Sequence, residues 1–228
     1  MGVSLYTEAA AQAEDAVDLF RKLEACGQLR RIDPAVEPEM YRCATVSESE
    51  LTSLRQIDNV VRHGRVVHIG PDRVVLEKGS IPAGDGHVYV DCSAVGLRMA
   101  PGRPVFAPGL ITLQAILSCQ PAFSAALAGY VEATRHDDAE KNRLCPPNPY
   151  MDEPAHLVPL TLIGMNADYQ WNKQPDIAEW LQRARLNPIR GVMQRMHEPR
   201  VQQAMVRFTQ NAQKAVANLR RMHGASVS

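Results

Sequence analysis

The sequence predicts an α/β protein in which a small β-meander and a further partial sheet are flanked by helices and followed by an all-helical C-terminal tail. The hydrophobic period changes from that of helices to that of strands at Arg65. Three prolines then fall within residues 146–149, where a helix cannot continue, and the apolar residues beyond them return to helical spacing. We therefore expect boundaries near residues 62 and 143, which give segments 1–62, 63–143 and 144–228.

The lead segment, residues 1–62, is predicted to be helical. A helix is expected over Thr7–Cys26, ended by Gly27. A second helix begins at a capping box formed by Ser47 and Glu50 and ends at Gly64. Its expected buried face consists of Leu51, Leu54, Ile57 and Val61.

The middle segment, residues 63–143, is predicted to begin with a meander of three strands. The strands are expected at residues 65–69, 73–77 and 87–92, with turns at Gly70 and Gly79. Pro121 suits the first turn of a later helix, because a proline there loses no helical hydrogen bond.

The last segment, residues 144–228, is predicted to be a Pro-rich linker and a helical tail. Asp176 is the expected cap of a helix that ends at Asn187. A final helix is expected with an apolar stripe formed by Val201, Met205, Phe208, Ala212 and Leu219. The series Met193, Met196, Val201, Met205 and Phe208 suits either a core or a partner-binding face, because methionine adapts to irregular surfaces.

The composition bears on whether the protein binds nucleic acid, spans a membrane or resides in an oxidising compartment. The chain has 228 residues, and its 25 basic and 25 acidic side chains cancel, so no global field favours nucleic acid. The uncharged run 104–131 is interrupted by prolines, which favours burial in a soluble fold over a membrane span. Five cysteines with wide spacing indicate neither a disulfide framework nor a metal site, so we expect a cytoplasmic protein.

The most informative stretch is Gly86–Gly96, in which Val88 and Val90 alternate with polar residues and small residues follow. This pattern predicts a buried strand that ends where another backbone or a ligand approaches closely. It resembles the strand-Ala-x-Gly motif of bacterial FAD- and NAD(P)-dependent oxidoreductases of the flavin monooxygenase-like type. The resemblance implies that the partial sheet is of dinucleotide-binding type, and that residues 63–143 are a β-meander and α/β remnant of a nucleotide-binding domain.

The same resemblance implies FAD as cofactor and NAD(P)H as hydride donor. It implies cofactor-binding roles for six residues, namely Ser93, Ala94, Gly96, Gly109, Leu110 and Ile111. Leu110 stands where many related flavoproteins carry an aspartate that binds the ribityl chain. Both stretches also have a simpler interpretation, since 93–96 can be a tight strand exit and 108–112 an ordinary loop.

The family's phosphate-binding fingerprint, Gly-x-Gly-x-x-Gly after a first strand, does not occur in this sequence. Gly84-Asp85-Gly86 precedes a predicted strand and suits a hairpin turn. We therefore expect either the C-terminal portion of an oxidoreductase or a short relative of one, with no assignable catalytic residue and little activity alone. A companion nucleotide-binding domain or a homo-oligomer is the expected partner. The alternative is a non-enzymatic protein–protein interaction module or subunit.

Overall fold

The computed structural model describes residues 2–40, 46–93, 100–150 and 153–227, and is mixed α and β, as the sequence predicts. The helices are α1 (Gly2–Gln12), α2 (Ala16–Ala25), α3 (Glu48–Leu54), α4 (Pro121–Thr134), α5 (Asp138–Leu144), α6 (Leu157–Asn172), α7 (Pro175–Arg183) and α8 (Pro199–Val227). The strands are β1 (Val66–Ile69), β2 (Arg73–Leu76), β3 (Gly79–Pro82), β4 (Phe106–Ala107) and β5 (Leu110–Ile111). Short 3-10 turns lie at Pro154–His156 and Met193–Arg195.

The chain divides into two compact units that differ from the three expected segments. The large unit contains Met1–Val46 and Met99–Ser228, and the small unit is Ser47–Arg98. Their limits differ because α1 of the lead segment packs along α8 of the tail. Sequence ends that are far apart in the chain therefore share one core.

The prediction of a single helix over Thr7–Cys26 is wrong, because the helix is interrupted between α1 and α2. The Asp15 side chain accepts a hydrogen bond from the Asp18 amide at 2.8 Å and caps α2. The Asn218 side chain, on α8, donates to the carbonyls of Ala10 and Ala11 at 3.2 and 2.9 Å. These carbonyls end α1 and lack partners within the helix, so a side chain from another helix fixes the break.

Two apolar clusters form the core of the large unit. The first joins α1, α2, α6 and α8 through buried side chains that include Leu19, Leu23, Leu157 and Leu219. The second surrounds α4, which begins at Pro121 as predicted. It contains Phe123, Leu127, Val131, Trp171 and Ile177. The Trp171 indole nitrogen donates to the Leu144 carbonyl at 2.6 Å, which joins α6 to the end of α5.

The tail is helical within residues 153–227, as expected, but two details differ. The helix α7 begins at Pro175 after Gln174, so Asp176 does not cap it. The Asp176 carboxylate instead binds the Arg135 guanidinium through two hydrogen bonds of 2.9 Å. Val201 and Met205 lie on α8 and are half-buried. This burial does not decide between a core and a partner-binding face for the methionine series.

The meander of three strands is confirmed, but its third strand is not at residues 87–92. The antiparallel order is β1-β2-β3, and Leu76 pairs with Gly79 across the two-residue loop of Glu77 and Lys78. This tight loop makes Gly79 the first residue of β3 and not a turn residue. Residues 79–82 therefore occupy the place beside β2 that was expected for residues 87–92.

The capping box that begins α3 is present in full. The Ser47 hydroxyl accepts from the Glu50 amide, and the Glu50 carboxylate accepts from the Ser47 amide. The Ser47 hydroxyl also donates to the Glu50 carboxylate, and this bond together with the one from the Ser47 amide lowers the pKa of Glu50 below its usual range. The helix nevertheless ends at Leu54, and of the expected apolar face only Leu51 is buried. A helix stabilised mainly by packing ends where its apolar face meets no cover.

One cysteine departs from the expectation of free thiols. Cys119 is disulfide-bonded, whereas Cys26, Cys92 and Cys145 are free. In the ranges that the structure describes, no helix has the length and apolar character to cross a membrane.

Candidate functional site

The buried strand expected over residues 87–92 is wrong. Residues 87–93 belong to no helix or strand, and the side chains of Val88 and Val90 are 88% and 78% exposed. A strand forms only where a neighbouring strand accepts its backbone hydrogen bonds, and none of the described strands pairs with this segment. The alternating pattern is present, but the partner that it implies is not among the described strands.

Ser93 is the one cofactor-binding candidate of this stretch that the structure describes. It is exposed, and its amide and hydroxyl both donate to one carboxylate oxygen of Asp91, at 2.8 and 2.6 Å. These bonds lower the pKa of Asp91. Such an Asx turn ends an extended segment locally and requires no ligand. Ala94 and Gly96 lie outside the described residues.

The second candidate stretch forms a hairpin. Ala107 pairs with Leu110 and Phe106 with Ile111, so Pro108 and Gly109 make a two-residue turn in which Gly109 has a φ of 70°. Proline followed by a left-handed glycine is typical of a type II turn. Leu110 and Ile111 are exposed on this hairpin, and α4 begins ten residues after it. Of the two interpretations of residues 108–112, a cofactor-binding segment and an ordinary loop, the described geometry is that of an ordinary loop.

The Asn142 side chain joins the hairpin to the rest of the large unit. The side-chain oxygen of Asn142 accepts a hydrogen bond from the backbone amide of Phe106 at 2.9 Å, and its side-chain nitrogen donates to the backbone carbonyl of Phe106 at 2.8 Å. It thereby replaces a missing strand at the edge of β4. Phe106 is buried, whereas Ile111 and Leu113 face solvent, so the run from 104 onward is only partly covered.

The feature that stands out chemically is the apolar surface of the small unit. Within the described part of Ser47–Arg98, the buried apolar side chains are Leu51, Val74 and Leu76. The large apolar side chains exposed to solvent are far more numerous. They are Leu54, Ile57, Val60, Val61, Val66, Val67, Ile69, Val88, Tyr89 and Val90, which we call the apolar surface.

Strand β1 is the regular part of this surface. It pairs with β2 on one side, and the register shifts between Val66 and His68, which is a β-bulge. Val66, Val67 and Ile69 are exposed although they project to both faces of the strand. Because a strand that is apolar on both faces is typical of a sheet covered on both sides, the sequence did carry a signal that further layers belong here.

The ion-pair networks around Arg135 and Lys141 in the large unit join neighbouring helices and indicate structural roles. Arg135 binds Asp176 and also Glu140, at 3.1 Å. Lys141 is buried, with its amine 2.7 Å from Glu132 and 3.2 Å from Asp138. Across the described residues no group of three or more His, Cys, Asp or Glu side chains is arranged to hold a metal ion.

Comparison with known proteins gives relatives but no class. The chain is 43% identical over 204 residues to uncharacterized proteins of Mycobacterium bovis and Mycobacterium tuberculosis. The match covers 89% of this chain but only 38% of each relative. No protein-family model matches the chain, and no solved structure does. The chain therefore spans less than half the length of these relatives, and their names assign no activity.

Proposed function

We propose that the chain acts by association, with the small unit docking on another polypeptide through its apolar surface. The observation that carries this proposal is the imbalance among the described residues of Ser47–Arg98, where ten large apolar side chains are exposed and three are buried. An excess of exposed large apolar side chains on a soluble protein usually marks an interaction site. A unit of this size normally depends on a buried core, so a partner that covers the surface would also stabilise the unit.

The length of the mycobacterial relatives supports a partner encoded with the homologous region. In each relative, more than half of the polypeptide lies outside the match. A companion domain of that kind is one expected partner, and a second copy of this chain is the other. Nucleic acid is not proposed as a partner, because the net charge of the chain is zero. A membrane is not proposed either, since no described helix is long and apolar enough to cross one.

A second candidate function follows from the resemblance of Asp91–Gly96 to flavin-dependent oxidoreductases. The described residues do not fit FAD by themselves, because Ser93 is bound to Asp91 and Gly109 lies in a hairpin turn with no surrounding cradle. We therefore derive no catalytic step. On this proposal a docked companion domain would supply the glycine-rich phosphate site and NAD(P)H the hydride, in the cytoplasm. The candidate fails if purified complex is colourless and a flavin fluorescence titration is flat.

Association is tested by light scattering and calorimetry with two matched variants. Val66→Thr and Val206→Thr change equally sized side chains that are 56% and 55% exposed, the first on β1 and the second on α8. Covering a half-exposed valine contributes about 1 kcal/mol, so Val66→Thr should weaken association about fivefold. Val206→Thr should leave it unchanged.

The probe is the part of the Mycobacterium tuberculosis relative outside the match, added to the full chain. The proposal is supported if the chain binds this probe, or associates with itself, and if Val66→Thr weakens that association while Val206→Thr does not. Equal effects of the two variants would contradict it. So would a monomer that binds neither probe nor itself at high micromolar concentration.

A further inference from the structure

We propose that residues His87–Ser93 become a β-strand when the small unit docks, by pairing with an apolar strand from the region that the longer relatives carry outside the match. The inference rests on the proposed association and specifies its geometry. Pairing of this kind would explain why residues 87–92 alternate like a buried strand although they are unpaired and exposed in the chain alone.

The segment already has the two faces of a strand. The rings of His87 and Tyr89 stack with centroids 6.1 Å apart and planes 16° apart, which places these alternate residues on one side. Val88 and Val90 therefore project to the other side, where both are almost fully exposed. Such an alternation, with both valines on one face, is the pattern of a strand with one buried face.

The backbone of the segment is free to pair. Within the part of the chain that the structure describes, the amides of residues 88–91 make no hydrogen bond. The preceding turn is closed by the His87 amide, which donates to the Gly84 carbonyl at 3.0 Å. The following end is closed by Asp91 and Ser93. The unpaired stretch is thus bounded by a turn at each end, as a short strand would be.

The chemistry of the face selects the occupant. Val88, Val90 and the exposed Cys92 carry no charge, so a complementary strand must itself be apolar on that side. Addition of a strand supplies affinity through main-chain hydrogen bonds and specificity through alternate side chains. The relatives contain a further polypeptide of more than the chain's own matched length, which is large enough to provide a sheet.

The inference is tested by hydrogen exchange of the full chain, alone and with the Mycobacterium tuberculosis probe described above. Amides 88–92 should exchange freely in the chain alone and be protected about a hundredfold or more in the complex. Three proline variants refine the test: Tyr89→Pro, Val90→Pro and Asn59→Pro. Each removes one amide from an exposed coil position of the small unit.

At least one of the Tyr89→Pro and Val90→Pro variants should weaken binding about tenfold, because adjacent amides of a strand point to opposite sides. Asn59 lies outside the apolar surface, so Asn59→Pro should bind nearly as the parent does. Unchanged urea midpoints would show that the small unit is intact in each variant.

The outcomes separate this inference from the proposed association. Binding without protection of residues 88–92 would overturn the strand and leave the association standing. Absence of any binding would overturn both. Protection of the same amides in the concentrated chain without probe would identify a second copy as the occupant and overturn the assignment to the longer relatives' region.

Discussion

Replacing Asn218 by alanine should destabilise the large unit, whereas the same change at Asn211 should not. The Asn218 side chain donates to the carbonyls of Ala10, Ala11 and Ala13 at 3.2, 2.9 and 3.3 Å. These carbonyls are at the end of α1, where no amide of the helix reaches them. The Asn211 side chain donates at 2.8 Å to a carbonyl one turn earlier in its own helix.

The expected magnitude follows from the number of orphaned acceptors. One amide group has two hydrogens, so two good bonds are lost in Asn218→Ala, each of about 1 kcal/mol in net stability. Alanine gains about 0.5 kcal/mol of helix propensity at either position, and this gain cancels between the two variants. The difference between their free energies of unfolding should therefore be about 2 kcal/mol.

Urea denaturation followed by circular dichroism measures this difference, with equal slopes required for the comparison. Asn218→Ala should lower the midpoint, and Asn211→Ala should leave it unchanged or raise it slightly. Two variants with the same midpoint would refute the assignment of the break after α1 to a contact with α8.

Three further outcomes are expected. Gly109→Ala should cost about 1–2 kcal/mol because φ is 70° there, whereas Gly129→Ala in α4 should gain about 1 kcal/mol; the reverse order of urea midpoints would contradict the hairpin turn. Native protein at pH 8 should resist iodoacetamide at Cys145, whose pKa burial raises to about 12, and react at exposed Cys92, as peptide mass spectrometry will show. The hydrogen-bonded Arg135 lowers the pKa of Asp176, so this ion pair stabilises the fold at neutral pH and the stabilisation is lost as pH falls below about 4. Asp176→Asn should therefore flatten this part of the acid-unfolding curve.

The local elements that the sequence predicted well are those fixed by neighbouring residues. The capping box of Ser47 and Glu50 and the proline at the start of α4 are confirmed because each depends on residues within one turn. The end of α1 depends on Asn218, some two hundred residues away, and no local pattern reports such a contact. Asp15 did carry a local signal for the cap of α2.

The errors in the small unit have a different cause. The apolar residues Ile57 and Val61 and the alternating segment 87–92 satisfy the patterns of buried elements, yet they are exposed in this chain. Pattern analysis identifies side chains suited to burial but not the polypeptide that buries them. The candidate cofactor residues meet the same limit: Ser93 and Gly109 are in turns, and a shared site among the six residues stays a prediction.

The central claim is that the apolar surface of Ser47–Arg98 is a docking surface, and the heat-capacity change of association tests it most directly. Calorimetric titration of the full chain with the Mycobacterium tuberculosis probe at several temperatures yields this quantity. Burial of apolar surface makes it clearly negative, and Val66→Thr should make it less so. A heat-capacity change near zero, or no association, would contradict the claim.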